Sequence, residues 1–255
     1  MNLTWVEYVV VLIGSFIAGS INTLAGNGSV ITLSLLTELV GLPPNLANGT
    51  NRVGMLLQAA GSSRGFAANK VADMSKARPI IILTIIGAIG GVLTATKVSN
   101  DQFMFVFKYL MVLMLVVVLV KPERWLSETT DKPLSRWLSI PIFLILGFYG
   151  GFIQMGMGIF FIAVMVLLSG YSIIAANAIK TIVVMIYTTI VLAIFAWKGL
   201  VDWETGIIMA FGQTIGGYLT ALYAVRMPNI TLWAYRLLIV IIILAILVQF
   251  NFIHL

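Results

Sequence analysis

The two halves of this chain share one pattern of residues, found first at about 41–95 and again at about 170–223. At a shift of 129 residues the matching pairs are Gly41 and Gly170, Ala47 and Ala176, Asn48 and Asn177, Asp73 and Asp202, and Gly87 and Gly216. In both halves, polar residues interrupt apolar segments at similar depths. Related halves of this kind are typical of membrane transporters that bind a substrate between them.

The chain has too few charged residues to cover a protein dissolved in water, because 60% of its residues are apolar and 9% are charged. The composition therefore predicts an all-α integral membrane protein. With several spans, 255 residues leave no room for a soluble domain, so we expect a single membrane transport domain, 1–255. The apolar run from Val9 to Ile17 follows a stretch without Lys or Arg, which favours a first membrane span over a signal peptide.

The absence of cysteine excludes disulfides, thiolate catalysis and cysteine-bound metals, and the sequence predicts no cofactor and no metal site. The formal net charge of +6 does not indicate a nucleic-acid partner, since the cations cluster in short loops, where membrane topology explains them. The expected partners are the lipid bilayer and a small substrate. Whether the chain also forms a homodimer stays open.

Ten apolar segments divide into five per half. They are Trp5–Ala25, Val30–Val40, Leu46–Phe66, Pro79–Thr96, Phe103–Val120, Leu138–Gln154, Ile159–Leu168, Ile173–Trp197, Gly206–Val225 and Leu232–Phe250. A crossing helix needs about 20 residues, and the second segment of each half is shorter than that. The sequence therefore predicts 8 to 10 transmembrane helices in two repeats, about 5–120 and 138–250, joined by a linker at 121–137.

The distribution of Lys and Arg predicts the orientation of these segments in the membrane. If all ten segments cross, most cations share one side with the linker 121–137, which places the linker in the cytoplasm and both termini outside. Five crossings per half also make the repeats inverted, so that equivalent residues meet near the middle of the membrane. If the two short segments only re-enter, eight helices cross and the linker is still cytoplasmic.

Glycines interrupt the apolar run ahead of each short segment, at Gly26-Asn27-Gly28 in the first half and Gly156-Met157-Gly158 in the second. Free N–H groups at the start of the short helices would hold an anion in each break. The alternative is that these glycines only allow close helix packing. Packing is the expected role of three other glycine pairs, Gly61 and Gly65, Gly147 and Gly151, and Gly212 and Gly216.

A polar stripe with a cation lies inside the segment that follows each short one. Its candidate ligands are Asn48, Thr50, Asn51, Arg52, Asn177 and Lys180. Burying Arg or Lys in a bilayer costs several kcal/mol, and no carboxylate is predicted at the same depth, so these residues indicate a site for a small anion. Alternatively, Arg52 and Lys180 extend to the membrane surface while the Asn and Thr residues join helices by hydrogen bonds. The isolated Gln58, Gln154 and Gln213 are expected to join helices by hydrogen bonds.

These residues resemble the sulfite exporter TauE/SafE family over nearly the whole chain. The matching motifs are Ala25-Gly26-Asn27-Gly28-Ser29, Gly41-Leu42-Pro43-Pro44, Ala47-Asn48-Gly49-Thr50-Asn51-Arg52, Gly150-Gly151, Gly156-Met157-Gly158 and Ala175-Ala176-Asn177-Ala178-Ile179-Lys180. The resemblance implies export of sulfite or a related organosulfur anion across a prokaryotic plasma membrane. Asn27, Met157 and Gln154-Met155 depart from the family pattern, which would narrow the site or change the anion.

The sequence favours alternating access around a site between the repeats, with the linker joining the two moving halves. An anion channel is the closest alternative. An intramembrane enzyme fits poorly, because the only histidine is the near-terminal His254 and no zinc-binding or nucleophile motif is present. A purely structural membrane protein would leave the two buried cations unexplained.

Overall fold

A computed structural model of the chain describes residues 4–68, 78–119, 135–169, 171 and 173–223, with scattered positions between 232 and 252. Within these residues all regular structure is helical, so the all-α prediction is confirmed. Most of the linker predicted at 121–137 and most of the tenth segment lie outside the described residues.

The described chain from Trp5 to Tyr223 contains nine α-helices. They are α1 (Trp5–Ala25), α2 (Ser29–Ser34), α3 (Pro44–Ala68), α4 (Arg78–Ala95), α5 (Asn100–Leu119), α6 (Arg136–Phe152), α7 (Met157–Ala163), α8 (Ile173–Trp197) and α9 (Trp203–Tyr223). The short helices α2 and α7 each continue into a π-helical turn, Leu35–Leu39 and Val164–Leu168. By length and composition, three of the described helices are able to cross a membrane: α1, α4 and most of α8.

The first helix shows how local sequence sets a boundary. Thr4 and Glu7 form a capping box, in which the Glu7 carboxylate accepts from the Thr4 N–H at 2.6 Å and the Thr4 hydroxyl accepts from the Glu7 N–H at 3.4 Å. The helix ends where Gly26 adopts a left-handed conformation with φ of 78°.

Charged residues lie inside the described bundle, and large apolar side chains lie on its surface. Arg52 is fully buried and Lys180 is 2% exposed. In contrast, Ile82 is 58% exposed and Ile145 is 67% exposed, on the outer faces of α4 and α6. This arrangement is the reverse of a water-soluble protein and matches a bundle surrounded by lipid.

Glycines bring two pairs of helices into backbone contact, α4 with α6 and α1 with α9. A Cβ atom added to Gly151 would lie 2.1 Å from the carbonyl oxygen of Ala88, and one added to Gly216 would lie 2.1 Å from that of Phe16. The corresponding distances at Gly147 and Gly212, to other carbonyl oxygens, are 2.2 Å and 2.4 Å. The predicted packing role of these glycines is therefore confirmed.

The contacts between helices also give their directions. Along α9, Gly206 meets the start of α3, near Val53, whereas the later residue Ala221 meets Gly65, so the two helices run parallel. α9 is likewise parallel to α1, since Gly212 meets Leu12 and Gly216 meets Phe16. Because α1 and α3 share one direction, the chain reverses through α2 and its π-helical turn.

α8 runs opposite to α3. Phe195, near the end of α8, contacts Gly49 at the start of α3, and Ala178, near the beginning of α8, packs with Phe66 at the far end of α3. The sequence repeat equates these two helices, and an inverted repeat requires opposite directions. The repeat relation itself stays a prediction.

Two neighbouring glycines on α4 provide a test of this packing. A Cβ at Gly91 would lie 2.0 Å from the Phe148 carbonyl oxygen, whereas one at Gly90 would lie 3.6 Å from the Phe148 ring. We expect Gly91→Ala to destabilise the protein by about 1–3 kcal/mol, because α4 must move away from α6. Gly90→Ala should leave stability unchanged or slightly higher. Thermal unfolding in detergent would measure both, and equal melting temperatures for the two variants would contradict the packing.

Candidate functional site

The two interrupted helices touch each other at their breaks. Gly26 follows α1 and Gly156 precedes α7, and both have left-handed backbones, with φ of 78° and 71°. A Cβ atom added to Gly26 would lie 2.4 Å from the carbonyl carbon of Gly158, and one added to Gly158 would lie 2.5 Å from the Gly26 Cα. We call this contact of bare backbone the crossing. Only glycine fits at both positions.

The same glycines do not leave the predicted row of free amide groups. The amides in question donate within their own short helices: those of Val30, Ile31, Ile159 and Phe160 bond to the carbonyl groups of Asn27, Gly28 and Gly156. The prediction of an anion cradle made from these four amides is therefore wrong. At Gly28 a Cβ would lie 2.0 Å from the Ala18 carbonyl oxygen, so this glycine too is required for close packing.

Arg52 on α3 binds the carboxyl end of α6. Its Nη1 donates to the Gly150 carbonyl at 2.7 Å, and its Nη2 donates to the Gly151 carbonyl at 3.1 Å and to Asn48 Oδ1 at 3.2 Å. Asn48, one turn earlier, donates from Nδ2 to the Phe152 carbonyl at 2.8 Å. Asn48 and Arg52 together satisfy three successive carbonyl groups that the end of a helix leaves unpaired.

Lys180 on α8 binds the carboxyl end of α1 in the same manner. Its Nζ donates to the Asn22 carbonyl at 2.8 Å, the Thr23 carbonyl at 3.3 Å and Asn177 Oδ1 at 2.6 Å. Asn177 donates from Nδ2 to the Leu24 carbonyl at 3.2 Å. Each half of the chain thus supplies one cation and one asparagine to the broken helix of the other half.

These contacts show how the two cations are stabilised without carboxylates. The carboxyl end of a helix carries about half a negative charge, and its free carbonyl groups accept hydrogen bonds. No Asp or Glu of the described residues bonds to Arg52 or Lys180. Each full positive charge therefore faces only a partial negative one. Because both side chains are buried, the part of the alternative in which they extend to the membrane surface is wrong. Its other part, helix joining by asparagine, is seen at Asn48 and Asn177.

Two predicted ligands, Asn27 and Asn51, are buried without any hydrogen-bond partner among the described residues. Both side chains have no exposed surface, and neither the amide oxygen nor the amide nitrogen of either is bonded. Arg52 Nε is also unpaired. An unpaired buried polar group costs about 1–3 kcal/mol, so these groups are candidates to bind something that enters the protein.

Thr50, which the sequence grouped with these ligands, has a different neighbour. Its hydroxyl accepts a hydrogen bond of 2.9 Å from the backbone N–H of Asp202, in the loop between α8 and α9. The adjacent Gly49 packs against the Leu200 carbonyl of the same loop. Thr50 therefore holds this loop, and the structure does not bring it together with Asn48 and Arg52.

Sequence reasoning expected Gln154 to join helices and, as a departure from the family pattern, to narrow the site; the structure places it beside Arg52. Gln154 Oε1 accepts a hydrogen bond from Arg52 Nη1, and the residue lies in the break between α6 and α7. Its position two residues before Gly156, next to the predicted helix break, was the sequence signal for a role other than helix joining. Gln58, in contrast, does join helices: it bonds to Asn22, Thr23 and Ser62.

An open groove of about 790 Å³ between α4, α5 and α6 lies apart from these cations. Its lining is mostly apolar, with Phe105 and Phe148 among the side chains, and Asp101 at one end. Phe105 is 62% exposed, so the groove belongs to the outer surface of the described bundle.

Asn48 and Asn51 of α3 should respond oppositely to replacement by leucine, a side chain of similar size. Asn48→Leu removes one of the two acceptors of Arg52 Nη2 and leaves the Phe152 carbonyl unpaired, so we expect a loss of about 1–3 kcal/mol. Asn51→Leu removes two polar atoms without partners and should preserve or raise stability. Chemical or thermal unfolding in detergent would compare them. A large loss for Asn51→Leu would show that its amide has structural partners.

Comparison with known proteins gives a consistent set of matches. The sulfite exporter TauE/SafE family matches residues 11–250. The probable membrane transporter protein ORF9 of Sinorhizobium sp is 26% identical over 212 residues, covering 83% of this chain and 81% of the relative. The probable membrane transporter protein YfcA of Escherichia coli strain K12 is 29% identical over 210 residues, or 79% of this chain and 75% of the relative. No solved structure matches the chain significantly.

Proposed function

The chain belongs to the sulfite exporter TauE/SafE family and is a membrane transporter, and from this premise we propose that it exports sulfite or a related organosulfur anion. The relatives are named as probable membrane transporters. The choice of a small anion is our inference from the site, and the family name suggests sulfite. We place the protein in a prokaryotic plasma membrane, with the linker 121–137 in the cytoplasm.

One observation supports the choice of an anion above all others. Arg52 and Lys180 are buried and are bonded to neutral carbonyl and amide oxygens. Their positive charge is only partly balanced, and a buried charge without full compensation favours binding an ion of opposite sign. A sulfur oxyanion supplies that charge and several acceptor oxygens.

The ligands have separate roles in this proposal. Arg52 offers a planar fork to two oxygens of the anion, and Lys180 acts as a point charge. Asn27 and Asn51 supply amide groups that have no other partner. Asn48 and Asn177 orient the two cations. Four glycines shape the backbone around the anion rather than bind it: Gly26, Gly28, Gly156 and Gly158.

Transport follows if the anion competes with helix carbonyls for the same donors. Without substrate, the cations of each half hold the broken helix of the other half. An anion that takes up these donors weakens the hydrogen bonds between the halves, so the halves are able to rock around the crossing. The anion shifts the balance between the two arrangements by the difference in its affinity for them.

Substitution of the cations tests the site directly. We expect saturable uptake of radiolabelled sulfite by proteoliposomes that contain the unaltered protein, and no uptake with the Arg52→Ala/Lys180→Ala variant. Arg52→Lys keeps the charge but loses the fork, so it should lower kcat/KM by about tenfold, roughly the value of one hydrogen bond to a charged group. Uptake that does not saturate would instead indicate a channel.

Arg64→Ala provides the control for charge removal, because Arg64 lies on the same helix but is exposed. It should transport as well as the unaltered protein. Melting temperature and gel-filtration profile would identify variants that fail to fold. Full transport by the folded double variant would refute the proposed role of the two cations.

Asn51→Leu separates binding from folding. This variant should keep its melting temperature, because the amide has no partner among the described residues, but its kcat/KM for sulfite should fall by about tenfold. A structural role predicts the reverse, with stability lost and transport retained per folded molecule. Uptake assays at matched amounts of folded protein would decide between them.

A further inference from the structure

Gln154 has an unusual combination of backbone, burial and hydrogen bonding. It is the only non-glycine residue in the described chain with a positive φ, 62°, and it is 3% exposed. A left-handed backbone is unfavourable for a residue with a side chain as long as glutamine, and it persists where the surroundings require it. Gly156, two residues later, adopts a similar φ without that cost.

The amide of Gln154 has one occupied end and one free end. Arg52 Nη1 is only a donor, so the atom that it contacts must be the acceptor Oε1, which fixes the orientation of the amide. The other atom, Nε2, is then a buried donor, and it has no partner among the described residues. The N–H groups of Nε2 thus lie next to a guanidinium whose own Nε is also unpaired.

We propose that Gln154 is a substrate-binding residue that donates a hydrogen bond to one oxygen of the anion, in addition to the oxygens held by Arg52. This inference rests on the proposed transport of a small anion. Gln154 Oε1 fixes the guanidinium, and Nε2 donates to the anion. With the Arg52 fork on two oxygens of the anion, the unpaired Gln154 Nε2 offers a donor for a third. It suits anions with three oxygens on one centre, such as sulfite and sulfonates.

Gln154→Glu replaces the free Nε2 donor by a charged oxygen. The acceptor for Arg52 remains and gains charge, so the melting temperature should be equal or higher. Because the new carboxylate also balances the Arg52 charge, this variant tests the anion site as a whole, and the selectivity of Gln154→Met tests Nε2 itself. If Nε2 binds the anion, the carboxylate removes a donor and repels the substrate. We expect the melting temperature to be maintained while the KM for sulfite rises by at least about tenfold.

A selectivity measurement tests which oxygen count Gln154 recognises. In the unaltered protein, ethanesulfonate should inhibit sulfite uptake better than propanoate, which has the same carbon chain before a two-oxygen group. Gln154→Met should reduce this preference by about tenfold. The control is Gln213→Met, because Gln213 is another buried glutamine with an unpaired Nε2, but it lies within α9. It should leave both uptake and selectivity unchanged.

The outcomes distinguish this inference from the proposed function. Saturable sulfite uptake by the unaltered protein, with unchanged selectivity in Gln154→Met, would overturn the role of Gln154 alone. An unchanged KM in Gln154→Glu would also contradict the anion site at Arg52. If the unaltered protein neither transports sulfite nor gains thermal stability from sulfite or ethanesulfonate, both proposals fail. A rise in KM and a loss of selectivity confined to the Gln154 variants would support both.

Discussion

The structure depends on how the carboxyl ends of two broken helices are satisfied where water is absent. Carbonyl groups at such an end have no partners in the helix, and lipid offers none. Arg52 meets those of α6, and Lys180 meets those of α1. This arrangement works only if the two breaks lie beside the opposite half, which requires the backbones to touch at Gly26 and Gly158. The contacts of the buried cations therefore depend on the close backbone approach that the glycines allow.

The same region keeps several polar groups at a cost in stability. Asn27 and Asn51 are buried without partners, and Gln154 holds an unfavourable backbone conformation. In a protein selected only for stability, leucine or glycine would serve better at these positions. Their presence at the crossing is explained if they contact a substrate that is bound for part of the transport cycle. The helix-joining Gln58, whose hydrogen bonds are made within the protein, carries no such cost.

The sequence predicted structural features that have local causes. It did not predict contacts with the backbone of residues distant in the chain. The first span, Trp5–Ala25, and the burial of Arg52 and Lys180 follow from apolar length and from the energy of charges in lipid. The partners of the cations were not predictable, because a helix carbonyl has no residue type that marks it. Thr50 was misplaced for a related reason, since its partner is the backbone of Asp202. The contact of Gln154 with Arg52 was not predicted, because glutamine in a helix and glutamine in a helix break look alike in sequence.

The distance along the chain between a helix end and its cation has a consequence for how the protein is made. Asn22 and Lys180 are separated by 158 residues, and Gly150 lies 98 residues after Arg52. A ribosome therefore delivers α1 to the membrane long before the ammonium group that completes it. The carbonyl groups at the end of α1 have no ammonium partner until α8, which carries Lys180, is inserted. During synthesis, the second half of the chain thus completes the hydrogen bonding of the first helix.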